Sequence, residues 1–85
     1  MYILGDIGNS DTKVFLVSPK NKILKRINFP SKKISNQILS KKFKLLINDF
    51  KKIKKILFCS VVPKSFNSIK MFISKKTKIK CYEIK

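Results

Sequence analysis

YILGDIGNSDTKVFLV, residues 2–17, holds two β-favouring runs separated by a cluster of turn formers, and the rest of the chain is organised around it. Tyr2–Ile7 is apolar and strand-like, Gly8-Asn9-Ser10-Asp11 interrupts it, and Thr12–Val17 resumes a β-favouring pattern. Beyond it, Ser18-Pro19-Lys20-Asn21 is turn chemistry, with proline pre-setting the second turn position. The run from Lys22 to Phe29 then sets Ile23, Lys25 and Ile27 against Leu24, Arg26 and Asn28. Three such runs with short connections predict an antiparallel meander.

Pro30 and Ser31 end the meander, and the period changes. Ile34, Ile38, Leu39, Phe43, Leu46, Ile47 and Phe50 fall at helical spacing with lysines opposite, which predicts a helix over residues 35–50 capped by Ser31 or Ser35. Ile56–Val62 is a compact, β-branched-rich run that suits a strand covered on both faces. Pro63 and Ser65 open a second amphipathic segment carrying Phe66, Ile69, Phe72 and Ile73, and Ile79–Ile84 reads as a last strand. The order is β-β-β-α-β-α-β, an α/β unit whose later strands run parallel through right-handed crossovers. Residues 1–85 make a single domain without internal repeat, and it resembles a ribonuclease H-like half-domain. A chain this short buries only roughly 60–65% of its unfolded surface. Its sheet should leave one face uncovered, which points to a second half or a dimer mate.

The turn within the opening segment carries the chemistry. Asp6 ends the first strand, where a carboxylate can hold Mg²⁺ directly or through water. Gly8 permits a tight reversal, and small residues let backbone N–H groups approach a phosphate. Asn9 and Ser10 can donate hydrogen bonds to phosphate oxygens, and Lys13 can add a mobile charge. The spacing fits neither GxxxxGK[ST] nor GxGxxG, which excludes the P-loop and dinucleotide fingerprints. The plainer alternative is a β-hairpin in which Asp6, Asn9 and Asp11 satisfy turn groups and Lys13 is one solvated lysine among twenty.

The formal charge of +17 arises from twenty lysines and Arg26 set against four acids. Such a charge can mark a nucleic-acid or membrane surface. Here Lys, Ile, Asn and Phe make up 46 of 85 residues, all encoded mainly by A and T, and the bidentate arginine favoured by nucleic-acid surfaces occurs once. Base-composition drift accounts for the lysines, and no specific nucleic-acid partner is expected. Cys59 and Cys81 form no CxxC pair and histidine is absent, so both thiols are expected at apolar strand positions in a reducing cytoplasm. No secretory signal or membrane-length apolar run is present in the sequence.

DIGNSDTKVFL, residues 6–16, resembles the first phosphate-binding motif of type III pantothenate kinases, which begins aspartate-x-glycine-asparagine-threonine or -serine. Cys59-Ser60-Val61-Val62-Pro63 is similar to the family's serine-serine-valine-valine-proline stretch, with Cys59 in place of the usual serine. The resemblance implies the actin-like ATPase superfamily and a five-stranded mixed sheet of order 3-2-1-4-5. It implies transfer of the γ-phosphoryl of ATP to pantothenate, the first step of coenzyme A synthesis. Mg²⁺ and a monovalent cation such as K⁺ or NH₄⁺ would be required, the latter held in the part of the enzyme that this chain does not match. It also implies that Asp6, Gly8, Asn9, Ser10, Asp11, Thr12 and Lys13 bind the ATP phosphates, Asp6 with the metal. The family's catalytic base is an aspartate in a glycine-x-aspartate-arginine motif, which this sequence lacks, so no catalytic residue is assigned. Pantothenate kinases of this type are usually dimers, and the chain is expected to be the N-terminal part of one, acting with a second copy or a C-terminal half. A basic nucleic-acid module, a ribonuclease H-class nuclease and an inactive degenerate piece are the competing possibilities. The nuclease requires several converging carboxylates for two metals, which four scattered acids do not readily supply.

Overall fold

Ile3, Gly5 and Ile7 are buried while Asp6 between them is exposed, the alternation expected of a strand covered on one side. This strand, β1 (Tyr2–Ile7), lies at the centre of the sheet in a computed structural model that describes residues 1–47 and 50–84. On one side it pairs antiparallel with β2 (Asp11–Val17), which pairs antiparallel with β3 (Ile23–Pro30). On the other it pairs parallel with β4 (Lys55–Ser60), which pairs parallel with β5 (Cys81–Ile84). The spatial order is β3-β2-β1-β4-β5, the expected 3-2-1-4-5 arrangement. It forms an α/β half-domain of the ribonuclease H-like, actin-like type.

The meander closes where the turn chemistry places it. Ser18 N–H donates to the Lys22 carbonyl at 2.8 Å, and the Ser18 hydroxyl accepts from the Lys20 and Lys22 N–H groups. Asn21 takes a left-handed backbone, φ 65°, which asparagine tolerates better than most residues. The two β3 apolar residues nearest this turn are exposed, Ile23 by 65% and Leu24 by 51%, beside a register shift at Leu16/Val17. Inward alternation resumes at Ile27 and Phe29.

The helices are α1 (Asn36–Leu46) and α2 (Pro63–Ser74). Ser35, not Ser31, caps α1: its extended backbone stops the helix and its hydroxyl accepts from Ile38 N–H at 3.2 Å. The apolar periodicity runs past the helix end. Ile47 is already extended, and Phe50 belongs to a 3₁₀ turn over Phe50–Lys52. Asn48 and Asp49, within the expected helix, lie outside the described residues, as does Lys85. Pro63 opens α2 at its first turn, where a missing N–H costs nothing. Phe66, Ile69, Phe72 and Ile73 are buried as their spacing predicts.

Both helices feed one core with Ile3, Ile7, Val14, Leu16, Ile27, Phe29, Ile56 and Phe58 of the sheet. The opposite sheet face carries Leu4, Phe15 and Leu57, half-buried, and Tyr82 and Ile84, each more than half exposed, without a helix over them among the described residues. Coverage of the Ile56–Val62 run on both faces is therefore not found: Ile56 and Phe58 are sealed, Cys59 is exposed, and Val61 lies beyond the strand. The last strand is shorter than the Ile79–Ile84 run. Across the β1–β4 pair the Phe58 ring occupies the space over Gly5, where an added Cβ would lie 1.9 Å from the ring.

Candidate functional site

Because Ile3, Gly5 and Ile7 turn toward the helices, Asp6 is left on the bare face near the carboxyl end of β1. In register it stands opposite Lys13 of β2 and beside Cys59 of β4. Side chains of directly opposed antiparallel residues begin about 4.5–5.5 Å apart at Cβ, so Asp6 and Lys13 rise from adjoining points of that face. Asp11 projects from the same face of β2 as Lys13, by the two-residue period. All three are exposed, and among the described residues none of the three is engaged in an ion pair.

The connection between the strands is short. Gly8 N–H donates to the Asp11 carbonyl at 2.9 Å, and Asn9 and Ser10 form the exposed tip. Gly8 is needed for proximity rather than for a left-handed backbone: its φ is not positive, yet an added Cβ would lie 3.2 Å from the Asp11 carbonyl oxygen. Val61 N–H donates to the Ile7 carbonyl at 3.1 Å, which brings the Ser60–Pro63 segment alongside the turn. The Ser60 hydroxyl is occupied locally, donating to the Val62 carbonyl and accepting from its N–H, both at 3.0 Å. On the helix side, Asn9 borders a cavity of about 350 Å³ with Ser31, Lys32, Val62, Lys64 and Ser68. A larger space of about 820 Å³ lies elsewhere, between the ends of the two helices, lined by Phe43, Ile47, Phe50, Phe72 and Ile79 among others.

Thr12 stands apart from its neighbours. It is fully buried on the helix side of β2, with its hydroxyl 2.8 Å from that of Ser31. Of the seven residues expected to bind phosphate, Asp6, Asp11 and Lys13 therefore share the bare face, Gly8, Asn9 and Ser10 form the turn, and the Thr12 side chain faces away. Ser31 and Ser65 were legible only as a helix cap and a helix opener, yet both are buried behind the turn. The signal was present in the period: Ser65 lies one helical turn before Ile69, on the apolar stripe of α2.

A metal at this turn would find little protein to bind it. Among the described residues no group of three or more His, Cys, Asp or Glu side chains comes together. Asp6 alone suits Mg²⁺, which keeps several waters and takes other ligands from substrate phosphates. The two free thiols differ sharply. Cys59 is exposed beside Asp6, whereas Cys81 is buried and its thiol is pushed up to about 11 by that burial, with the Lys70 charge pulling weakly the other way. No helix among the described residues is long and apolar enough to cross a membrane.

Comparison with known proteins gives the same family as the Asp6–Leu16 and Cys59–Pro63 motifs. The sequence profile of the family described as Type III pantothenate kinase matches residues 2–85. The type III pantothenate kinase of Pelagibacter ubique (strain HTCC1062) is 52% identical over 85 residues, covering 100% of this chain and 34% of the relative. The chain thus spans about a third of the length of the curated relative it matches. It belongs to the type III pantothenate kinase family.

Proposed function

We propose that this chain is the ATP-phosphate-binding part of a pantothenate kinase, which phosphorylates pantothenate at the start of coenzyme A synthesis. The observation that carries the reading is the register of Asp6 against Lys13 on the bare sheet face, next to a turn held tight by Gly8. Bound Mg-ATP would supply the phosphoryl group and the metal charge that neutralises it. Asp6 would hold the metal, directly or through water, and Lys13 would meet the phosphate oxygens as a point charge. Asn9 and Ser10 would donate hydrogen bonds from the tip, and Asp11 would stand at the margin of the same face. K⁺ or NH₄⁺ would be held in the rest of the enzyme, as the family resemblance implies, and so would the aspartate base. A second copy or a C-terminal half would complete the cleft, in the cytoplasm.

Asp6→Asn separates this site from a plain hairpin. Calorimetric titration with Mg-ATP, with a family C-terminal half supplied if the chain alone binds too weakly, should show weaker nucleotide binding for the variant. Urea melts should show a loss of no more than about 1 kcal/mol, the scale of one local hydrogen bond. Equal affinity for the two proteins would remove Asp6 from the site.

A further inference from the structure

Thr12, Ser31 and Ser65 are the buried polar residues among those described, with exposures of 0%, 4% and 7%. They come from three separate elements, the start of β2, the 3₁₀ turn Ser31–Lys33 after β3, and the first turn of α2. They are joined to one another. The Thr12 and Ser31 hydroxyls lie 2.8 Å apart, and the Ser65 hydroxyl donates to the Ser31 carbonyl at 3.2 Å. Burying a hydroxyl is costly unless it is paired, and alanine or valine would fill such positions without that requirement. The link reaches the turn through the backbone: Ser31 N–H donates to the Ser10 carbonyl at 3.0 Å. A peptide unit is planar, so holding the Ser10 carbonyl also fixes the direction of the Asp11 N–H.

We propose that Ser31 and Ser65, with the Thr12 hydroxyl, are positioning residues that hold the Gly8–Asp11 turn in its phosphate-binding shape. Ser31 clasps the tip of the turn through its N–H, and its own place is set by Thr12 on one side and Ser65 on the other. Through this link the start of α2 and the end of β3 determine where the backbone donors of the turn sit. The inference rests on the phosphate reading above, and it assigns Thr12 a part behind the site in place of direct contact with phosphate.

The test is a titration of the ¹⁵N-labelled chain with Mg-ATP, with a family C-terminal half supplied as above, followed at the amides of Gly8, Asn9, Ser10 and Asp11. Thr12→Val, Ser31→Ala and Ser65→Ala should each raise the dissociation constant of the folded protein about five- to tenfold, the worth of one hydrogen bond. Thr12→Val combined with Ser31→Ala should be no weaker than either alone, because the two hydroxyls act as one unit. Ser65→Thr, which keeps the hydroxyl, should bind more tightly than Ser65→Ala. Lowered urea midpoints with unchanged affinity of the folded protein would overturn the inference and leave the site standing. Wild-type amides that ignore Mg-ATP even with the C-terminal half supplied, or that respond equally in Asp6→Asn, would overturn both. If the Thr12 and Ser31 variants do not fold, the two Ser65 variants decide.

Discussion

Thr12 and Lys13 are neighbours in sequence with opposite fates, one sealed in the core and the other exposed beside Asp6. The two-residue period of a strand causes this, and a motif read as a string of letters does not resolve it. Asp6 and Lys13 were legible as candidate site residues because each has chemistry suited to a metal or phosphate. Ser31 and Ser65 were not, because serine near a helix start first suggests capping. The thiols show the same dependence on placement. For Cys81 the folded thiol titrates near 11 against an ordinary value of 9.0, because burial penalises the thiolate. A raised value means the neutral form stabilises the fold fully below pH ~9, and that contribution fades as pH climbs through ~11. Between pH 8 and 10.5, wild type should therefore lose more stability in urea melts than Cys81→Ala does, since the lysine titration is common to both. Equal losses would mean that Cys81 ionises as freely folded as unfolded.

At the scale of elements, type and order were readable and boundaries were not. Apolar spacing located both helices and all five strands, yet α1 stops before Ile47 and β5 begins only at Cys81. Periodicity reports which side of a segment can face the core, whereas ends are set by dihedral angles and caps. Gly5 was likewise invisible as a packing residue, because its role depends on a ring from another strand. Phe58 is fully buried across the β1–β4 pair, and a methyl group at position 5 would overlap it. Gly5→Ala should cost about 3 kcal/mol, the upper range for overpacking a tight core, measured by urea denaturation. Adding Phe58→Leu should recover part of that loss. If Gly5→Ala alone melts like wild type, the ring moves aside more easily than its burial suggests.

For the whole molecule, the prominent feature is one-sidedness: two helices lie on one face of the sheet and Leu4, Phe15, Leu57, Tyr82 and Ile84 line the other. The sequence anticipated this from a count of elements, and the family relation agrees, since the chain matches about a third of a longer kinase. Its sole arginine, Arg26, follows Lys25, so the glycine-x-aspartate-arginine base motif is absent from the sequence. Purified alone, the 85-residue chain should show no pantothenate-dependent ATP turnover in a coupled ADP assay. Sustained turnover that Asp6→Asn abolishes would show that the chain has a base of its own. The strand order also has a consequence for synthesis. Of the five strands β1 is made before the others, and it can pair with β2, and β2 with β3, as soon as these nearest neighbours in the chain follow. Its other edge must wait until Lys55–Ser60 have been made. During that interval the nascent meander presents an unpaired central strand, the part of the growing chain most open to pairing with a stranger.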